Sequence, residues 1–144
     1  RKDLSKIQII EFSILFIIMN YFDLVVSKLE ELSKLEFITE ENNKLKNFII
    51  NSFSQGDNGD TINTKINNEF NKIVEEINEN SNIQIIAKNK TDQDISDLLD
   101  ELMQDHKGQR NLKKIENLEQ KLINNLDESS YSELIKLKNQ LNRD

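Results

Sequence analysis

Few side chains in this chain could do chemistry, and they do not converge. His106 is the only histidine and cysteine is absent. Any Ser-His-Asp arrangement would therefore have to run through His106, and thiol catalysis, disulfides, Cys-ligated zinc and multi-histidine metal sites are excluded. A solitary histidine in a polar helical stretch is read as a surface or packing residue. The run GDNGD at residues 56–60 places Asp and Asn before Gly, as calcium loops do. With Gly59 in the sixth position, however, the first ligand would be Ser54 and the twelfth Lys65, and lysine cannot supply the carboxylate that closes such a loop. It is read as a surface turn. Asp92 and Asp94 are placed as helix-start carboxylates, favoured by the positive end of the helix dipole, rather than as an acid-base pair. Asn89-Lys90-Thr91 satisfies the glycosylation pattern, but Asn is so common here that chance suffices. No catalytic residue, metal ligand or cofactor is assigned, and the chain is not expected to be an enzyme.

Charge narrows the partner. The net charge is −7 over 144 residues, which would repel a phosphate backbone on average, and the mixed pattern shows no basic patch to offset it. A protein partner is expected, with no direct nucleic-acid contact. The missing cysteines fit a reducing compartment, and a cytoplasmic location is expected.

The elements that would position any site are helices. Pro is absent and Gly numbers three, so helix breakers are nearly missing, and Glu, Lys, Leu, Ile and Asn dominate. The expected fold class is all-α: a helical bundle joined by a long helix to a C-terminal helical hairpin. Residues 1–90 are expected to form the bundle, and residues 91–144 the long connecting helix and the hairpin. Apolar content of 36% is lean against the usual ~45–50% and is concentrated towards the N-terminus.

The run IIEFSILFIIMNYF at residues 9–22 raises the question of a membrane. Its dense part covers only Ile7 to Met19 and contains Glu11 and Ser13, short of the roughly 20 apolar residues a spanning helix needs. No small-residue cleavage site follows it, as a signal peptide would require. It is read as the central helix of a bundle, capped by Asp3 and running to about Asn20.

Phe22, Val25, Val26, Leu29, Leu32 and Leu35 then give one helix with a buried stripe, with Asn20 as its cap. Thr39 starts the next, with Leu45, Phe48, Ile49 and Phe53 on a shared face. Ile62, Ile66, Phe70, Ile73, Val74 and Ile77 predict one further helix. NIQIIAKNK at residues 82–90 fits either a short helix or an extended connector. Thr91-x-x-Asp94 resembles a capping box opening a long helix, with Ile95, Leu98, Leu99, Leu102, Met103, Leu112, Ile115, Leu118, Leu122, Ile123 and Leu126 as its apolar positions. Between them QDHKGQRN, residues 104–111, has no apolar contact residue. With Gly108 in it, the helix there either crosses solvent between two packed regions or bends, and one long helix bridging two subdomains is expected. Asp127 or Ser130 is the expected cap of the last helix, with Glu133 completing a box from Ser130, and Tyr131, Leu134, Ile135, Leu137 and Leu141 as its stripe. Such a hairpin cannot bury both stripes completely unless it packs back on the bundle or receives a partner's helix, the alternative being a coiled-coil-like appendage whose stripe is satisfied internally.

Two stretches carry a resemblance to a known family. ILFIIMNYFDLVVSKLEELSKLEFITEENNKLKNFII resembles the opening of the C-terminal domain of bacterial DnaG-type primases, with Leu24, Leu32, Leu35 and Phe37 at the matching apolar positions. LDELMQDHKGQRNLKKIENLEQKLINNLDESSYSELIKLKNQL is similar to that family's long helix and terminal hairpin. The chain departs from the family at Asn20-Tyr21, where a His-Pro is frequent, and in lacking tryptophan. The resemblance implies a non-catalytic docking domain that recruits primer synthesis to the replication fork. Its partner would be the N-terminal domain of the replicative helicase, with the tail of the single-stranded-DNA-binding protein as a second candidate. The domain alone would be a monomer with no membrane contact. The partner-binding residues it implies lie on the outer face of the hairpin: Tyr131, Leu134, Ile135, Lys138 and Leu141, with Tyr131 as aromatic anchor. For Leu134 and Ile135, packing inside the hairpin is an equal alternative. The rival class is a membrane-associated or secreted helical surface protein, with the apolar run as anchor.

Overall fold

The computed structural model describes residues 4–80, 82, 85, 87–124 and 128–143. Every regular element among them is helical: α1 Lys6–Asn20, α2 Phe22–Ser27, α3 Leu29–Lys34, α4 Glu40–Ser54, α5 Gly59–Glu69, α6 Asn71–Asn80, α7 Asp92–Asn124 and α8 Glu128–Arg143. The protein is all-α. It divides into two compact units, residues 1–103 and 104–144, and the boundary falls inside α7. Of residues 82–90, read from sequence as either helix or connector, residues 83, 84 and 86 lie outside the described residues.

In the first unit, α1 is surrounded. Eleven of its fifteen residues are buried, from Ile7 to Met19, with Ile14, Leu15, Ile17 and Ile18 having no exposed surface. Such burial on every face requires neighbours on every side, and α2, α4 and α6 supply them. Fifteen residues span about 22 Å, against ~30 Å of bilayer hydrocarbon. No helix among the described residues is long and apolar enough to cross a membrane. The cap of α1 is Ser5 rather than Asp3, which lies outside the described residues. The Gln8 N–H donates to Ser5 Oγ at 3.3 Å, and the Ser5 N–H donates to Gln8 Oε1 at 3.0 Å, a reciprocal capping box.

Two stripes that read as single helices are each broken. The chain leaves helical geometry at Lys28 (φ −114°, ψ 16°) between α2 and α3, and at Phe70 (φ −125°, ψ 26°) between α5 and α6. Neither is a breaker residue. The cause is support: α2 lies on α1 and α3 on α4, while α6 lies on α1 and α5 on α4. A straight helix could not follow both surfaces. Val25, Leu32, Ile62, Ile66, Ile73 and Ile77 are buried, whereas Val26 is turned to solvent. The expected cap Asn20 instead donates from Nδ2 to the Phe16 carbonyl at 2.8 Å, closing α1. Tyr21 occupies the cap position of α2 without a side-chain bond.

The SQGDNGD turn has a structural use at several positions. Gly56 adopts φ +89°, and its N–H and that of Asp57 donate back to Phe53 and Ser52 carbonyls, both at 3.0 Å. This is a Schellman ending for α4, which needs a left-handed residue. Asn58 caps α5 by accepting from the Thr61 N–H at 2.9 Å. Gly59 lies against the Phe22 ring, where an added Cβ would stand 2.6 Å from Cδ2.

The corner between α3 and α4 is held by two buried charged side chains. Glu11 has no exposed surface and accepts from the Ile38 N–H at 2.7 Å, the Thr39 N–H at 3.3 Å and Asn42 Nδ2 at 2.9 Å. It thus serves the donors ahead of α4, where Thr39 makes no side-chain cap of its own. Lys46, 1% exposed, donates to the Leu32 carbonyl near the end of α3 and to Asn47 Oδ1, both at 3.0 Å. Its ammonium sits 5.8 Å from the centroid of the Phe37 ring. Desolvation pushes the Lys46 pKa below its usual value, and Glu36 partly offsets the shift.

α7 opens with the expected box: the Asp94 N–H donates to Thr91 Oγ1 at 3.1 Å and the Thr91 N–H to Asp94 Oδ2 at 3.2 Å. These backbone and side-chain bonds from Thr91 lower the Asp94 pKa. Ile95 and Leu99 are buried in the first unit's core. Asp100 pairs with Lys28 at the α2–α3 break, 2.9 Å apart, which raises the Lys28 pKa. The helix continues unbroken through residues 104–111. That stretch is not a bare solvent crossing, because His106 is fully buried and residues 108–111 are half-buried.

Candidate interaction surface

The second unit is built from the end of α7 and from α8. Ile115, Leu118 and Leu134 are buried together, with Leu122, Leu137 and Leu141 packed partly buried around them. These positions follow helical spacing on both helices, so each contributes one face to a seam. The seam corrects the stripes expected from sequence. Ile123 and Leu112 on α7 are exposed rather than inward, because the seam takes only the face centred on Ile115, Leu118 and Leu122. Leu126 lies outside the described residues.

α8 begins at Glu128, which puts Ser130 inside the first turn as a buried residue rather than at the cap. The proposed box from Ser130 to Glu133 therefore does not form as a cap. Asp127, the other expected cap, lies outside the described residues.

The five expected contact residues separate into two groups. Leu134 is 6% exposed and belongs to the seam, and Leu141 packs half-buried beside it. Tyr131 is 56% exposed, Ile135 is 42% exposed, and Lys138 is exposed. Tyr131, Ile135 and Lys138 are spaced i, i+4 and i+7, so they share one outward line. The hairpin's own core uses Leu134, Leu137 and Leu141, and the outward line is left for another surface. An exposed aromatic beside an aliphatic and a cation can enter a partner's pocket and be fixed there by polar contacts.

Elsewhere the first unit carries two open depressions that meet at Asn20 and Tyr21. One, of about 400 Å³, is lined by Phe16, Asn20, Tyr21, Ala87 and Lys88. The other, of about 330 Å³, is lined by Asn20 to Leu24 and Asp92. Neither gathers a nucleophile with a base. No group of three or more His, Asp or Glu side chains that could hold a metal occurs among the described residues.

Compared with protein-family models, with curated proteins and with solved structures, the chain matches none of them. What can be said of function therefore rests on the surface itself and on the resemblance drawn from the two sequence stretches.

Proposed function

We propose that this chain is a non-catalytic interaction domain of a bacterial DNA primase, working in the cytoplasm, that docks on the N-terminal domain of the replicative helicase and recruits primer synthesis to the fork. The observation that carries the reading is the outward line Tyr131, Ile135 and Lys138 on a hairpin whose seam is already closed by Leu134, Leu137 and Leu141. A hairpin with its own seam and a second apolar line is suited to gripping a partner. The order of elements in the two resembling stretches supports the choice of partner.

Docking of this kind acts through effective concentration. Once tethered, primase meets emerging single strands at a local concentration set by the linkage rather than by the cell, so weak priming chemistry is delivered where it is needed. None of the 144 residues is assigned a chemical step.

Calorimetric titration of the chain with the N-terminal region of the cognate helicase tests the reading. Binding is expected, and Tyr131→Ala should weaken it by more than about tenfold, as loss of an aromatic anchor does, with the thermal midpoint unchanged. Absence of wild-type binding would reject the reading. A lowered midpoint with unchanged affinity would return Tyr131 to the hairpin's internal packing.

A further inference from the structure

Large exposed hydrophobics occur in both units, Ile9, Val26, Ile38 and Ile85 in the first and Leu112, Ile123, Tyr131 and Ile135 in the second, and the second set is carried by only two helices. Two of that set lie on α7, outside the contact described above. On α7, Leu112, Glu116, Glu119 and Ile123 recur at i, i+4, i+7 and i+11 and so form one line along the helix. Ile123 is 75% and Leu112 45% exposed, and both glutamates between them are exposed.

Helical geometry relates this line to the one on α8. At 100° per residue the α7 line stands about 100° round the helix from the seam residues Ile115, Leu118 and Leu122, in the direction of increasing residue angle. The line of Tyr131, Ile135 and Lys138 stands about 100° from Leu134, Leu137 and Leu141 in the same rotational sense. The helices share a seam and are joined by only three residues, 125–127, so they run antiparallel. An antiparallel pair is related by a two-fold axis normal to its plane. That operation carries a flank of one helix to the flank of the same sense on the other. Both lines therefore open on the same broad side of the hairpin.

That side has a definite chemistry. Ile123 and Tyr131 sit near the connection, Leu112 towards the other end, and Ile135 between. Glu116 and Glu119 hold the middle of the α7 line, and neither makes an ion pair among the described residues. We propose that this side of the hairpin seats an amphipathic helix of the partner, whose apolar residues meet the four exposed hydrophobics and whose central Lys or Arg lies between Glu116 and Glu119. A third helix laid there completes a three-helix bundle and buries the face the hairpin leaves open. A second copy of this chain fits less well: two such faces would bring four carboxylates against two Lys138 ammoniums, a net repulsion. The inference rests on the helicase reading and adds the α7 half of its contact.

The test is titration of the full chain with the N-terminal region of the cognate helicase, using variants at exposed positions. The double change Glu116→Lys with Glu119→Lys should weaken binding by roughly a hundredfold and Ile123→Ser by about tenfold. Lys114→Glu, on the opposite broad side, should leave affinity within about twofold. Circular dichroism melts check that each variant is folded. Binding by the wild type that neither the double variant nor Ile123→Ser disturbs overturns the inference and leaves the Tyr131 contact standing. No wild-type binding overturns the helicase reading and the inference with it. A dimer mass by light scattering that Ile123→Ser abolishes assigns the face to a second copy, and also overturns the inference.

Discussion

The two units differ in the depth of their cores. Residues 1–103 wrap a helix on every side, bury charged groups to hold a corner and leave Ile9, Val26, Ile38 and Ile85 outside, while residues 104–144 close only a thin seam and leave Leu112, Ile123, Tyr131 and Ile135 in solvent. Their charge differs as well: the first unit has 11 Lys and Arg against 19 Asp and Glu, the second 8 against 7. A two-helix hairpin buries only the two faces turned to each other and leaves both of its broad sides open. The thick unit therefore has a centre enclosed on all sides, and the thin unit has only its seam.

The largest effects should come from the first unit's centre. Leu15→Ala and Ile17→Ala should each cost about 2–5 kcal/mol, because a site enclosed on all sides cannot collapse around the cavity. Leu134→Ala in the seam should cost about 2 kcal/mol or less, since a two-helix seam can close up. Chemical denaturation of the three variants measures both, and equal losses would erase the contrast between thick and thin cores.

Glu11→Ala should come next, at about 3 kcal/mol, because it leaves the buried Asn42 amide and the part-buried Ile38 and Thr39 N–H groups without that acceptor. Glu11→Gln retains an acceptor oxygen and should lose less. Removing the exposed Glu119 of the second unit by the same change should move stability by no more than about 0.5 kcal/mol. If Glu11→Ala were as mild as Glu119→Ala, the buried carboxylate would not be holding the corner.

Glycine to alanine separates the units by sign. At Gly59 the new methyl meets the Phe22 ring at 2.6 Å, and a loss of about 1–3 kcal/mol is expected from overpacking. At Gly108, inside α7, it meets nothing within 4 Å, and a gain of up to about 1 kcal/mol follows from helix propensity. Thermal melts of the two variants, read side by side, decide it. A gain at Gly59 would mean that Phe22 yields freely.

The smallest effect is a pH dependence. The folded Lys46 has a lowered pKa, so between that value and the usual 10.5 the unfolded chain holds the proton more tightly. Stability contributed by this group therefore rises with pH across that window and levels off above it. Lys28 has the opposite sign: its pKa is raised by Asp100, so its contribution is present below 10.5 and is lost only above. Melting wild type and Lys46→Met from pH 7 to 10 should show the wild type gaining on the variant. A constant difference would mean that burial does not penalise the Lys46 charge.

Much of the architecture was legible from residue types. The α1 run, the Thr91–Asp94 box, the long helix and the SQGDNGD ending all follow from local patterns that the structure keeps. The breaks at Lys28 and Phe70 were not legible, because both stripes keep helical phase across the break and neither residue is a breaker. The roles of Glu11 and Lys46 were not legible for a similar reason: most of their partners lie far along the chain or in backbone groups that have no sequence signature. Within the hairpin, spacing placed Tyr131, Leu134, Ile135 and Leu141 on one helix, but 3.6-residue periodicity does not say which part of a wide apolar arc becomes the seam.

The sequence by itself determined the all-helical class, the Thr91–Asp94 box and the points where α4 must end and α7 begin, because these depend on backbone propensity and on bonds reaching three or four residues. Only the tertiary structure decided which apolar residues were enclosed and which were left outside, and where two apparent helices had to bend. Those outcomes depend on which surface each residue meets. The number of faces that α1 or a two-helix hairpin can cover is a property of the assembled neighbours, and no single segment carries it.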